Sequence, residues 1–119
     1  MPQNKSRYAT IDLEAGMPLV EHALKRMHFQ LDTHRKTGVT VIKLIHGYGS
    51  SGTGGKIRTA CRKQLQLYKE QGRIVDFIPG ENFTIFDAST RHAFTLCAAL
   101  RDDRDLEREN RGVTFVVTK

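Results

Sequence analysis

The sequence has no tryptophan and only two cysteines and three prolines in 119 residues. Cys61 and Cys97 are too few for a disulfide framework and fit no metal-ligand spacing, so an apolar core must hold the fold. Apolar runs end after a few residues, which excludes a membrane-spanning helix, and no membrane partner is expected. Residues 1–7 are polar and lack the apolar stretch of a secretory signal. The expectation is a reduced, cytoplasmic chain with a flexible N-terminus over 1–7 and one domain over 8–119. A content of 39% hydrophobic and 27% charged residues is ordinary for such a domain.

Acidic residues are scarce in one region. The chain carries 19 Lys+Arg against 13 Asp+Glu, a net charge of +6. Charges cancel over residues 1–16. Residues 17–73 hold eleven cations and three acids, and residues 74–119 hold six cations and eight acids. A concentrated basic block attracts polyanions by counterion release and long-range steering. The plain alternative is that these cations only solvate two helices.

Residues 8–13 alternate as a short strand, with Ile11 and Leu13 on one face and Asp12 on the other. Pro18 opens a helix whose apolar stripe is Val20, Ala23, Leu24, Met27 and Leu31, ending near Gly38. Residues 39–45 read as a buried strand. A glycine-rich stretch follows, then a helix with Ile57, Ala60, Cys61, Leu65 and Tyr68 on one side. Residues 74–78 and 113–118 are two further strands. Between them, residues 81–111 form an insertion containing a third helix capped by Asp87 or Ser89, then a charged, solvated run over 102–111. Two strand–helix–strand units predict a parallel core within a four-stranded mixed sheet. The fold class is α/β, a two-layer sandwich with two covering helices and a helical insertion before the last strand.

Gly47, Gly49, Gly52, Gly54 and Gly55 lie between a buried strand and a helix, the place where open α/β sheets bind ligands. Glycines let backbone N–H groups face an anion, and the helix N-terminus adds its dipole. Lys56, Arg58, Arg62 and Lys63 follow on that helix. A phosphate is the natural guest; the plain alternative is a connection that needs positive φ angles. Ile57 after Lys56, and the spacing from Gly49 to Gly55, exclude a Walker A loop. Gly47, Gly49 and Gly52 fit a dinucleotide fingerprint, with Asp76 as the ribose-binding acid, but the chain is too short for a doubly wound sheet.

The stretch from Val41 to Arg58, centred on Ile45-His46-Gly47-Tyr48-Gly49 and followed by Thr53-Gly54 and Ile57-Arg58, resembles the small MutS-related (Smr) domain. Residues 11–16 resemble that family's first motif, with Glu14 where the family has His. Residues 112–117 are similar to its closing strand. The resemblance implies a fold similar to the C-terminal domain of translation initiation factor 3. It also implies binding of DNA or RNA and, in several members, nicking. Other proteins or the ribosome are implied as further partners.

Phosphodiester cleavage needs a proton acceptor and charge neutralisation at the phosphoryl oxygens. Asp12, Glu14 and His46 are the expected catalytic set, converging at the ends of adjacent strands, with His46 as general acid–base. The two carboxylates are candidates to hold Mg²⁺ or Mn²⁺. Asp12 as a cap and His46 as a ring bonded to the loop backbone are the plain alternatives. Glu14 either makes the site metal-dependent or marks a binding-only variant; the reading leans to binding. Gly47, Tyr48, Gly49, Gly52, Gly54, Gly55, Lys56, Arg58, Arg62 and Lys63 are the expected nucleic-acid contacts, with Tyr48 a candidate for base stacking. Phe83 and Phe86 are expected to anchor the insertion. A nucleotide or phosphate binder without a polymer substrate, and an interaction module, are the remaining alternatives.

Overall fold

The computed structural model describes residues 8–48 and 53–119, with the backbone alone at 53 and 54. The expected flexible segment 1–7, and Gly49 and Gly52 of the glycine-rich stretch, lie outside the described residues.

Strand β1 (Ala9–Asp12) leads into helix α1 (Val20–Lys36). Ala23, Met27 and Leu31 are buried at four-residue steps, and Gly38, at φ +85°, takes the left-handed turn that ends the helix. Strand β2 (Val41–Ile45) and helix α2 (Thr53–Glu70) follow. Ile57, Cys61, Leu65 and Tyr68 form the buried stripe of α2. Strand β3 (Ile74–Pro79) passes through a short 3-10 turn to helix α3 (Ala88–Leu96). The Asp87 carboxylate accepts the Thr90 N–H at 2.9 Å and so caps α3. Strand β4 (Val113–Thr118) completes the chain's single sheet among the described residues.

The strand order is β1-β2-β4-β3. β1 and β2 are parallel, whereas β4 runs antiparallel to both β2 and β3. The sheet is mixed, as expected, but the expected parallel core reduces to one neighbouring pair. All six residues of β4 are buried, and a strand apolar on both faces belongs at the sheet centre rather than at an edge.

Ile42, Leu44 and Val116 face α1 and α2 in one core. The alternate residues Val41, Phe115 and Val117 face a second core with Ile78, Phe83, Ala93, Phe94, Cys97 and Leu100. The insertion therefore covers the free face of the sheet and adds a third layer to the sandwich. Phe83 anchors it, stacked on Phe115 with ring centroids 4.1 Å apart. Phe86, paired with it in the sequence reading, is 82% exposed and anchors nothing.

Lys43 stands on this second face. Its Nζ lies 3.0 Å from Asp103 Oδ1 and 2.6 Å from Asp105 Oδ2, and 5.5 Å from the Phe115 ring centroid. The Tyr8 hydroxyl donates to Asp103 as well. The run 102–111 is thus not simply solvated: two of its carboxylates are buried to neutralise a lysine in the middle of β2.

Candidate functional site

Register places Asp12 opposite Ile45, Ile45 opposite Val113, and Pro79 opposite Thr114. The ends of β1, β2 and β3 and the start of β4 therefore form one edge of the sheet. Beyond it, the His46 and Gly47 N–H groups both donate to the Gly112 carbonyl, at 2.9 and 3.0 Å. Gly47 has φ +71°, and a Cβ there would fall 2.6 Å from Glu14 Cδ. Only glycine fits this backbone under the Glu14 carboxylate. That carboxylate has no hydrogen-bond partner among the described residues. Asp12 lies at the exposed strand end, where its Oδ1 accepts the Glu14 N–H at 2.8 Å, a local turn cap.

His46 is wholly buried, and neither ring nitrogen bonds Asp12 or Glu14. Its Nδ1 is 2.7 Å from the Gly47 carbonyl, and its Nε2 is 2.8 Å from Thr114 Oγ1. A carbonyl only accepts, so Nδ1 carries the proton and Nε2 accepts from the threonine hydroxyl. Thr114 Oγ1 in turn accepts from Arg62 Nε at 3.0 Å. Arg62 closes the chain with a bidentate pair to Glu81 at 2.7 and 2.8 Å. Burial, aided by the charges of Arg62 and Arg58, pushes the His46 pKa down to about 4 against the opposing pull of the Gly47 carbonyl. A neutral ring with no exposed atom does not suit proton exchange with a bound substrate. Its geometry is that of a relay tying β2 to β4, α2 and the turn that follows β3. Among the described residues no three His, Cys, Asp or Glu side chains are grouped to hold a metal ion.

The cations divide into two kinds. Arg62 is spent on Glu81, whose carboxyl, though raised by burial, is lowered overall by the Arg62 hydrogen bonds. Arg58, Lys56 and Lys63 have no ion-pair partner among the described residues. Gly54 and Gly55, expected in a loop, belong to the first turn of α2. Arg58 lines a cleft of about 450 Å³ with Thr59, Arg62, Glu81 and Arg111. Arg111 also lines a wider cleft of about 740 Å³, where it meets Tyr48, Arg104 and Arg108. Arg104, Arg108 and Arg111 have no ion pair among the described residues, and all three are exposed.

These three arginines escaped the sequence reading because their segment carries more acids than cations. The signal lay in pairing. Asp103 and Asp105 serve Lys43, Glu81 serves Arg62, and Glu107 accepts from Thr84 Oγ1 and the Ile85 N–H. Arg104, Arg108 and Arg111 are left without an ion pair among the described residues, beside Tyr48.

No family model matches the chain, and no curated protein is similar to it by sequence at a significant level. Among solved structures, the Smr domain of Thermus thermophilus MutS2 is similar, with a TM-score of 0.58 and 24% identity, over 93% of this chain and 98% of that one. The chain has the fold of an Smr domain.

Proposed function

We propose that this is an Smr-like nucleic-acid-binding domain whose contact surface lies at the Gly47–Tyr48 edge of the sheet. The observation that carries the reading is the pair of adjoining clefts sharing Arg111. They gather Arg58, Arg104, Arg108 and Arg111, all without ion pairs among the described residues, around an exposed tyrosine. Guanidinium groups bind phosphate through planar forks, and such a cluster gives salt-dependent affinity for a polyanion. Lys56 and Lys63 extend the positive field along α2. Arg62 and His46 serve as positioning residues beneath this surface.

Nicking is the second reading, favoured by the Glu14 carboxylate resting on Gly47 without a hydrogen bond. In that reading Glu14, with Asp12 the other nearby carboxylate in the chain, would hold Mg²⁺ or Mn²⁺, which would supply charge neutralisation at the phosphoryl oxygens. Equilibrium binding to duplex DNA, single-stranded DNA and structured RNA at 50 and 200 mM salt tests the main reading. Affinity should fall steeply with salt, at about 0.9 log units per log unit for each duplex phosphate contact. Weak binding to all three at low salt would remove it. The same substrates incubated with Mg²⁺ or Mn²⁺ test nicking, with Glu14→Gln as the control that should abolish it.

A further inference from the structure

We infer that the cleft between Tyr48 and Arg108 is a seat for one unpaired nucleobase, so that the domain prefers nucleic acid with a single-stranded segment; this rests on the nucleic-acid reading above. Tyr48 is 59% exposed, so its ring is open to a ligand. Its Cδ1 would lie 3.4 Å from a Cβ at Gly112, so the glycine leaves the ring room to lie against the start of β4. Arg104, Arg108 and Arg111 line the same cleft. An aromatic face with guanidinium groups around it is the arrangement that stacks a base and holds its flanking phosphates.

The cleft is held in place before any ligand arrives. Asn110 Nδ2 donates to Asp105 Oδ1 at 2.9 Å, and Asn110 Oδ1 accepts the Gly112 N–H at 2.8 Å. Asp105 is fixed by Lys43. Glu107 and Glu109 take the left-handed conformation, at φ +65° and +53°, which sets the direction of Arg108 between them. Glu109 is the acid in the cleft with no ion pair among the described residues, against three such arginines, so the balance there is cationic. The cleft volume of about 740 Å³ falls in the range of small-ligand sites, ~300–1,000 Å³. Arg111 then continues into the neighbouring cleft with Arg58, where the next phosphate along the strand sits. A base inside a duplex is stacked on both faces and does not reach Tyr48; an unpaired base does.

The test is fluorescence anisotropy with a labelled oligo-dT, an oligo-U of the same length and a blunt duplex. The intact chain is compared with Tyr48→Ala, Tyr48→Phe and Arg108→Ala. Tyr48→Ala should lower the ratio of single-strand to duplex affinity about tenfold, the size expected for one lost stack, and Tyr48→Phe should restore it. Arg108→Ala should weaken single-strand binding and flatten its salt dependence. An unchanged ratio in Tyr48→Ala, with binding intact, overturns the base seat and leaves the nucleic-acid reading standing. Failure of the unaltered chain to bind any probe at low salt overturns both.

Discussion

Lys43 meets Asp105 at 2.6 Å with both side chains about nine-tenths buried, joining the centre of β2 to the loop that carries Arg104 and Arg108. The pair does two things at once. It neutralises a lysine in the second core, and it fixes the backbone from which the free arginines project. Removing one partner leaves the other charges buried without compensation. Lys43→Met should therefore destabilise the domain by roughly 3–5 kcal/mol, read from urea unfolding. Adding Asp103→Asn and Asp105→Asn to that variant should recover part of the loss. A loss below about 1 kcal/mol would mean that the cluster is not held as described.

The buried imidazole of His46 makes stability depend on pH in a defined window. Its folded pKa, about 4, lies below the ordinary 6.5. The unfolded chain thus binds the proton more readily, and stability is complete above pH 6.5. It declines as pH falls through the interval and levels off below pH 4. At pH 5 the loss should be about 2 kcal/mol relative to pH 7. His46→Gln should be less stable at pH 7 but should show a flatter profile between pH 7 and 5. Asp105 and Glu81, both lowered, lose their contribution only at more acidic pH. An equally steep profile in His46→Gln would assign the effect to other groups.

Gly47 and Glu14 should be coupled. Gly47→Ala places a methyl group against the Glu14 carboxylate at a positive φ. The backbone cost alone is about 1–2 kcal/mol, and the clash adds to it. Glu14→Ala should be nearly neutral alone yet relieve part of the Gly47→Ala defect. A coupling of about 0.5–3 kcal/mol in a double-mutant cycle is expected. Strict additivity would place Glu14 away from the loop.

Much of the fold was legible because it rests on local periodicity. The stripes of α1 and α2, the Asp87 cap and the alternation of β1 all follow from side-chain spacing within one element. The position of β4 between β2 and β3 was not legible, since strand order depends on which faces must be buried together. The site divides in the same way. Glycine at position 47 was readable, and so was its place after a buried strand. The sealed His46 was not, because its partners Thr114, Arg62 and Glu81 come from three distant segments. The free arginines were hidden by a charge tally along the chain. Three of the acids in that part of the chain, Asp103, Asp105 and Glu81, are bound to Lys43 and Arg62, both of which the tally had counted in the basic block.

Arg104, Arg108 and Arg111 are the proposed contacts to nucleic-acid phosphates. The most direct test of this assignment is the slope of log affinity against log salt, between 50 and 200 mM, for a duplex probe. Replacing the three arginines together with alanine should reduce that slope by about 2–3, at roughly 0.9 per lost contact, with thermal stability unchanged because all three are exposed. A slope equal to that of the unaltered chain would place the binding surface elsewhere and rule these arginines out as the phosphate contacts.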